Sequence, residues 1–582
     1  MTGHGGRRGV IAAPPVVLLG IASVAVALAA ADTYVVVLAL TDMMAGVGIG
    51  LDALQRATPI LSGFLLGYIA VLPLVGRLSD LVDRRRILLW CLVAFAVGSA
   101  VTAVAVELPV LVAGRVVQGA GGGGLVPATL ALVADLWPPG KRGVPLGMVG
   151  AVQEIGSVLG PVLGAAVLAI ADWRAIFWLN VVLAIVLALL VAVVRPVGAR
   201  QTADGPDPDG AQAPAPTTSP TRRWAGAGVG VLALATGLLA LAAPAVLATD
   251  VTFGIPFVPF VGDSRVLTPV GMAALALAVG WLVLEAPRWL PVLRRADVPG
   301  AILLGGALGC VVLTFAAADP AREVVGPLGW VLLPVGLVLA VLYAWRARRV
   351  PAPLVPREAL QGRARFALAV SALSGVALVA VVVDVPLLAR VAIGATQEEA
   401  ALVLVRFLVA VPLGALAGGW MLRRAGAGTV AGLGLFLAAL GLLTMSTWGK
   451  DALDAWFATP VLVVVGLGLG LALAPVNDAA LADAPADAHG TASALVVVAR
   501  MVGMVVGLAL LTAVGLHQYY EAVGRLADKT DGGALVDAAV VQVRTVFLGA
   551  ALAAALGGLA AFLRLGVRPP RRTDVPDGIP AA

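Results

Sequence analysis

Long, uninterrupted apolar segments constrain the fold of this chain more than any other feature of its sequence. A helix needs about 20 mostly apolar residues to cross a bilayer, and the 582-residue chain holds sixteen segments of about that length. They lie at 14–40, 58–76, 87–106, 110–134, 144–170, 175–194, 224–248, 268–286, 299–318, 326–345, 366–389, 399–421, 428–447, 457–478, 491–516 and 545–566. Spanning strands would instead alternate apolar and polar side chains. The sequence therefore predicts an all-α membrane protein.

The distribution of charge predicts how the chain is oriented. Only 12% of its residues are charged and 60% are hydrophobic, which leaves too little polar surface for a water-soluble protein. Most of the 39 Lys and Arg residues lie at the N-terminus and in alternate loops after it. Because cytoplasmic loops retain basic residues, we expect both termini in the cytoplasm of a bacterial inner (plasma) membrane. The net charge of +6 follows from this asymmetry, so no nucleic-acid partner is predicted.

The segments are grouped as six, four and six. Residues 1–194 contain the first six, and residues 366–566 contain the last six before a cytoplasmic tail at 567–582. Between them, a Pro- and Gly-rich stretch at 195–223 predicts a disordered cytoplasmic linker. Residues 224–345 then add two hairpins of inserted helices. Two six-helix halves are the layout of a secondary transporter built from internal repeats.

Two outer segments are unusual for short loops. Residues 249–267 are apolar and aromatic, which favours a position at the membrane surface. Residues 517–547 have a helix-forming composition on both sides of Asp531, which predicts that the last two spans continue as a helical hairpin beyond the membrane. An unordered loop is the alternative for this second segment.

Three motifs stand in the first six segments. The loop after the second segment reads GYIAVLPLVGRLSDLVDRRRILL, the fourth segment contains LVAGRVVQGAGGGG, and the fifth reads AVQEIGSVLGPVLGAAV. Glycines at this spacing let helices approach closely. The run from Gly119 to Gly124 is no phosphate-binding loop, because no Gly-Lys-Ser/Thr follows it. Neither the three His residues nor Cys91 and Cys310 cluster, so no metal, cofactor or disulfide is predicted.

At these places the chain resembles the major facilitator superfamily, and within it the drug:proton antiporters that have extra linker spans. The matching residues are Gly76, Leu78, Asp80, Arg84 and Arg85 in the loop, Arg115, Gln118 and Gly119 in the fourth segment, and Gly156, Gly160, Pro161 and Gly164 in the fifth. ADTYVVVLAL, which contains Asp32, resembles the first-segment motif. The resemblance implies a gating role for the loop and antiport for the fifth segment. Leu81 and Asp83 depart from the loop pattern.

A closer resemblance rests on Glu154, Arg500 and the long final outer loop. These features are similar to those of mycobacterial efflux proteins that export triacylglycerol lipids and affect drug tolerance. The resemblance implies a hydrophobic small molecule or lipid as the substrate, with protons and membrane lipids as further partners. It also implies a monomeric protein that works with an extracytoplasmic lipid-carrier lipoprotein.

Charged residues inside the apolar segments predict where a proton is handled. A charge at the bilayer centre costs about 2.5 to 3.5 kcal/mol on insertion scales, so each one calls for a reason. Asp32 and Arg115 lie at similar depths in the first and fourth segments, which lets them pair. Burial disfavours the charged carboxylate and a nearby guanidinium favours it. Such a balanced group is suited to proton loading and release, and a permanent structural ion pair is the alternative.

Two more charged pairs follow from the repeat of the halves. Asp384 mirrors Asp32 in the first segment of the second half and, like Glu154, is a further candidate for proton coupling. The alternative is that Asp384 merely lies near the outer water. Arg406 is either the counter-ion of Asp384 or extends towards water. Glu154 and Arg500 occupy corresponding places in the fifth segment of each half. We therefore predict a buried Glu154–Arg500 network that is closed in one transport state; two unrelated buried groups are the alternative.

Together these patterns favour a proton-coupled exporter of hydrophobic or amphipathic compounds, drugs or lipids, with multidrug resistance as a biological outcome. The segments are dominated by Val, Leu, Ala and Gly, whereas an importer of a polar nutrient needs several placed hydrogen-bonding groups. A membrane-embedded lipid-modifying enzyme would need a clustered catalytic set near one interface. Both remain alternatives at the level of the sequence.

Overall fold

The computed structural model of the chain describes residues 11–49, 54–138, 141–196, 220–249, 254–260, 264–316, 328–393, 397–526, 528 and 531–566. The predicted linker at 195–223 and the tail at 567–582 fall almost entirely outside these residues. Of the outer segment at 249–267, the described part includes two short 3₁₀ helices, Ile255–Phe257 and Arg265–Leu267.

The chain is helical almost throughout its described residues. In the first part the helices are α1 (Pro15–Gly46), α2 (Leu54–Leu81), α3 (Arg84–Val104), α4 (Leu108–Leu136), α5 (Gly143–Leu168), α6 (Trp173–Val193), α7 (Pro220–Ala242), α8 (Ala245–Ala248), α9 (Pro269–Arg295), α10 (Val298–Ala316) and α11 (Gly329–Ala347). The second part holds α12 (Ala364–Ala392), α13 (Gln397–Leu408), α14 (Ala410–Met421), α15 (Ala427–Met445), α16 (Ala458–Ala482), α17 (His489–Gly524) and α18 (Gly532–Arg564). Further 3₁₀ turns lie at Arg357–Leu360, Ala452–Asp454 and Ala486–Ala488.

The helices confirm the predicted all-α membrane class. Within the described residues, 14 helices are long and apolar enough to cross a bilayer. The other two predicted segments also form helices, α5 with 26 residues and α10 with 19. Helices suit lipid because every backbone N–H and C=O inside them is paired along the helix. The described residues also contain two three-residue strands, β1 (Ile11–Ala13) and β2 (Val194–Pro196), which pair in parallel.

The chain forms two compact units, whose described residues fall in the following ranges. Unit 1 comprises Met1–Ala128, Leu159–Leu313 and Val335–Val355, and unit 2 comprises Thr129–Val158, Thr314–Pro334 and Pro356–Ala582. The division differs from a simple split between residues 1–194 and 366–566. The ends of α4 and α5 that flank residues 137–142 belong to unit 2 with the later helices.

Glycines set the closest helix approaches in both units. A Cβ on Gly119 of α4 would collide with the carbonyl oxygen of Phe64 in α2, inside unit 1. In unit 2, a Cβ on Gly503 of α17 would collide with the carbonyl oxygen of Ala372 in α12. Contacts of this closeness are typical of membrane helix pairs, which gain from van der Waals packing rather than from the hydrophobic effect.

The last two helices extend well beyond a bilayer core. α17 has 36 residues and α18 has 33, so at about 1.5 Å per residue each exceeds the roughly 30 Å hydrocarbon thickness. The Asp531 carboxylate caps α18 by accepting hydrogen bonds from the backbone N–H groups of Gly533 and Ala534. The predicted helical hairpin at 517–547 is therefore present on both sides of the turn.

Candidate functional site

A cluster of polar side chains lies among the apolar helices of unit 1. Its centre is Asp32, near the middle of α1, and it is surrounded by Arg115 and Gln118 of α4 and Asn180 of α6. Asp32, Arg115 and Gln118 are at most 1% exposed, and Asn180 is buried. Because Arg115 and Gln118 are three residues apart in α4, their side chains lie on one face of that helix.

Asp32 accepts three side-chain hydrogen bonds. Arg115 donates through Nη1 to Oδ2 at 2.6 Å, which also makes an ion pair. Gln118 donates to Oδ1 at 2.9 Å, and Asn180 donates to the same oxygen at 2.6 Å. In these three contacts the carboxylate oxygens act as acceptors.

Arg115 is held on several sides. Its Nη1 also donates to Gln118 Oε1 at 2.6 Å, and its Nε donates to the backbone carbonyl of Ile60 at 3.4 Å. The guanidinium carbon lies 4.5 Å from the centre of the Phe64 ring and 5.7 Å from that of Phe177. A desolvated guanidinium gains from aromatic faces at this range. Arg115 therefore contacts α2 and α6 as well as Asp32 of α1.

Asn180 is the member of the cluster that sequence reasoning missed. It stands alone in the apolar run WLNVVLAIV of the sixth segment. A polar side chain in such a run needs a hydrogen-bond partner, because an unpaired polar group in hydrocarbon is costly. That isolated Asn was the available signal, but its partner in a helix 148 positions away was not visible from the sequence.

Glu154 and Arg500 lie close together inside unit 2. Arg500 Nη1 is 3.6 Å from Glu154 Oε1, and their side chains are only 11% and 8% exposed. α5 and α17, which carry them, are the fifth helices of the two predicted halves. Arg500 sits where α17 packs tightly on α12, since Gly375 lies against the Arg500 carbonyl.

The structure does not bring Arg406 to Asp384. Arg406 is exposed and donates to Thr459 Oγ1 at 3.1 Å, which corresponds to the second of its two predicted alternatives, a side chain extended towards water. Asp384 lies in α12 and is 1% exposed, with no ion pair among the described residues. Its Oδ2 has no hydrogen-bond partner there either. Arg406 reaches water because its side chain is long enough to extend from the membrane edge.

The loop motif between α2 and α3 is organised by its charged residues. Asp83, one of the departures from the family pattern, caps α3 by accepting from the N–H of Arg86. Arg84 is buried and its Nε donates to the Ser79 carbonyl at 3.4 Å. Gly76 is buried in α2, and Asp80 is half-buried in its last turn.

Arg85 connects the same loop to another helix of unit 1. Its Nε and Nη2 each donate at 2.6 Å, to the carbonyls of Val191 and Ala192 in the last turn of α6. Carbonyls at a helix C-terminus have no partner within the helix and carry partial negative charge, so a guanidinium there is favourable.

The fifth-segment motif places glycines at a close contact with α1. A Cβ on Gly160 would collide with the carbonyl oxygen of Ala31, the residue before Asp32. Gly156 and Gly164 are also buried, while the side chain of Pro161 lies outside the described part of the chain. The Gly160 contact holds α5 against the turn of α1 that carries the acid.

The described side chains of the site are a carboxylate, a guanidinium and two amides joined by hydrogen bonds. Among the described residues, no group of three His, Cys, Asp or Glu side chains is placed to hold a metal ion. A buried carboxylate with three donors responds to a proton by losing its charge and part of its acceptor capacity.

Comparison with known sequences gives a consistent set of relatives. A sequence model of the Major Facilitator Superfamily matches residues 22–343 and 326–508. A triacylglyceride transporter of Mycolicibacterium smegmatis is 34% identical over 572 residues, covering 94% of this chain and 86% of the relative. A triacylglyceride transporter of Mycobacteroides abscessus is 36% identical over 527 residues, covering 88% and 85%.

Solved structures with the same fold include transporters of unlike substrates. The human organic anion transporter MFSD10 (TETRAN) matches with a TM-score of 0.51 at 16% identity, covering 94% of this chain and 100% of that one. The E. coli fucose:proton symporter FucP matches with a TM-score of 0.50 at 14% identity, covering 95% and 99%. At this level of identity the similarity establishes the fold alone.

Proposed function

The chain belongs to the major facilitator superfamily, and we propose that it is a proton-coupled antiporter that exports hydrophobic or amphipathic compounds, with neutral membrane lipids such as triacylglycerols as the main substrate class. Transport proceeds by alternating access to the two sides of a bacterial inner membrane. Both termini lie in the cytoplasm, as the distribution of basic residues favours.

The buried Asp32 cluster is the observation that carries the proton-coupling part of the proposal. In one state Asp32 is ionised and is held by Arg115, Gln118 and Asn180. When a proton binds, Arg115 loses its charged partner, and the hydrogen bonds from the three donors on α4 and α6 to Asp32 of α1 weaken. Because a buried cation without a partner is unfavourable, the protonated cluster favours a different arrangement of these helices. Proton release on the other side restores the first arrangement.

Three lines support an apolar substrate. The membrane helices consist mostly of Val, Leu, Ala and Gly, which offer apolar contacts and few hydrogen bonds. Two relatives that align with most of the chain carry the name triacylglyceride transporter. The extended pair α17 and α18 includes the long final outer loop on which the mycobacterial resemblance rests. Such an extension is suited to handing a lipid to an extracytoplasmic lipid-carrier lipoprotein.

Reconstitution of the full chain in proteoliposomes tests the proposal. A fluorescent triacylglycerol is placed in the proteoliposome membrane, and a pH gradient is imposed by acidifying either the inside or the outside of the vesicles. Movement of the lipid to an acceptor is then followed. We expect transfer driven by the proton gradient, collapse with an uncoupler, and counter-movement of protons recorded by a pH dye. Equal transfer with and without the gradient would overturn proton coupling. Gradient-driven transfer of a fluorescent polar sugar and not of the lipid would overturn the substrate class.

A further inference from the structure

A large groove of unit 1, partly open to the surroundings, is lined by none of the Asp32 cluster residues. It occupies about 1550 Å³ between α3, the start of α4, and the inserted helices α7 and α9. This volume exceeds the roughly 300–1,000 Å³ of a drug-sized binding site. None of the proton-coupling residues lines it. The inserted helices therefore border a space that the two-half mechanism does not use.

The lining of the cavity is polar at one end only. On α3 the lining runs from Arg86 through Trp90 to Val101, and every position beyond Trp90 is apolar. On α9 the charged lining residues occupy the C-terminal part of the helix, together with Pro287, Trp289 and Pro291. Apart from Trp281 of α9, the rest of the cavity is bounded by Val, Leu, Ala and Gly. Since the two helices run in opposite directions through the predicted membrane, the polar parts of both linings lie at the same end.

The polar end carries more positive than negative side chains. Arg86, Arg288 and Arg295 line it together with Asp83 and Glu285. Arg288 forms an ion pair with the buried Glu285, and Asp83 caps α3. Arg86 and Arg295 are exposed, and neither side chain forms an ion pair within the part of the chain that the structure describes. Two guanidinium groups are thus directed to one end of an apolar cavity.

Aromatic side chains mark the same end. Trp90 of α3 and Trp289 of α9 meet edge to face, with ring centroids 4.8 Å apart, and both line the cavity. Tryptophan is enriched at the level of lipid headgroups, where its ring is apolar and its N–H is polar. The pair therefore lies at the depth where a headgroup meets its acyl chains.

The dimensions of the cavity match one lipid of one leaflet. The lining stripe on α3 from Arg86 to Val101 is about 22 Å long at about 1.5 Å per residue. A full bilayer with its headgroups is about 40–45 Å thick, so half of it is about as long as this stripe. Basic pockets between membrane helices on the cytoplasmic side bind anionic lipid headgroups.

We infer that this cavity binds one anionic membrane phospholipid, whose phosphate contacts Arg86 and Arg295 and whose acyl chains lie between α3, α7 and α9. The lipid fills the space between the first helices and the inserted hairpin, and so joins them. This site goes beyond the export proposal, because it requires neither a proton gradient nor transport.

Native mass spectrometry of the full chain in detergent tests the inference. The protein is incubated with dioleoylphosphatidylglycerol or dioleoylphosphatidylcholine, and retention of one lipid mass is compared. We expect phosphatidylglycerol to be retained preferentially, and Arg295→Ala to reduce that retention about tenfold, as for loss of one charge-assisted contact. Arg294→Ala is the matched control, since Arg294 is exposed in the same turn but does not line the cavity.

A second variant tests the apolar part without touching the charges. Ala233 of α7 lines the cavity, and Leu232 beside it is 53% exposed and does not. We expect Ala233→Trp to displace the lipid and Leu232→Trp to leave it bound. Equal retention in Arg295→Ala and Arg294→Ala, or in the two Trp variants, would overturn the site. Equal retention of the two lipids would overturn the anionic headgroup.

Discussion

Asp32 and Asp384 occupy matching places in the first helices of the two predicted halves, and yet their surroundings differ. Both are 1% exposed. Asp32 accepts hydrogen bonds from Arg115, Gln118 and Asn180, whereas one carboxylate oxygen of Asp384 has no partner among the described residues. The two acids are therefore equally buried but differently connected to their neighbouring helices. Because only Asp32 is hydrogen-bonded to side chains of two other helices in the described residues, we expect a change of its charge to affect more of the structure.

The largest effect is expected for Asp32→Asn. A permanently neutral group leaves Arg115 buried without a charged partner, at a cost of about 3–5 kcal/mol, and cannot exchange a proton. We expect gradient-driven export to fall to the background of empty proteoliposomes while the protein still inserts into the membrane. Asp42→Asn, an exposed acid of the same helix, is the matched control. If the Asp32→Asn variant still exports against a gradient and is still inhibited by an uncoupler, Asp32 is not essential for proton coupling and does not differ from Asp384 in this respect.

We next ask whether, like Asp32 of unit 1, Glu154 of unit 2 depends on a charged partner, Arg500. Their 3.6 Å separation and burial predict that removing one partner leaves the other unpaired. Glu154→Gln and Arg500→Ala should each impair export, and the double variant should be less impaired than the two losses added. We expect a coupling of about 0.5–3 kcal/mol from the double-mutant cycle. Strictly additive losses in export rate would mean that the two groups act separately.

Replacing Asp384 by leucine is expected to change the stability in the opposite direction from the same replacement of Asp32. A buried polar atom without a partner costs about 1–3 kcal/mol, so Asp384→Leu should raise the thermal unfolding midpoint or leave it unchanged. Asp32→Leu should lower it, because Arg115 loses its partner. The measurement is thermal unfolding of both variants in the same detergent at pH 7. A loss of stability in Asp384→Leu as large as that in Asp32→Leu would show that Asp384 is linked after all.

The smallest effect is expected outside the membrane, at the pair Arg363 and Asp483 of unit 2. Hydrogen bonds from the Arg363 side chain hold the pKa of Asp483 below its usual value, against the opposing effect of burial. The same bonds raise the pKa of Arg363. Both side chains are about one-third exposed, so we expect the pair to contribute less than about 1 kcal/mol.

The pH dependence of that contribution has a definite direction. Because the folded pKa of Asp483 lies below the unfolded value of about 3.9, the pair stabilises the protein above about pH 4. The contribution is lost as the pH falls through the folded pKa. Wild type and Asp483→Asn should therefore differ in unfolding midpoint at pH 7 and converge at pH 3. A gap that is unchanged between the two pH values would contradict this ion pair.

The sequence by itself determined the membrane class and the position of most spans. Apolar runs of about 20 residues have one stable solution in lipid, a helix whose backbone groups pair internally. For the same reason the fifth and tenth segments form helices where predicted. The motif around Arg115 and Gln118 and the isolated acid Asp32 also marked the centre of the site, because charged groups in apolar runs are rare and need a cause.

Tertiary structure alone decided which of those groups meet. Asp32 and Asn180 are 148 positions apart, and their contact depends on how α1 and α6 pack. Arg406 and Asp384 are 22 positions apart by number, but Arg406 bonds to Thr459 and Asp384 stays without an ion pair in the described residues. A one-dimensional pattern fixes the depth of a residue through the helical rise. The direction of its side chain, and so its partner, is set by helix rotation and packing, which the pattern does not contain.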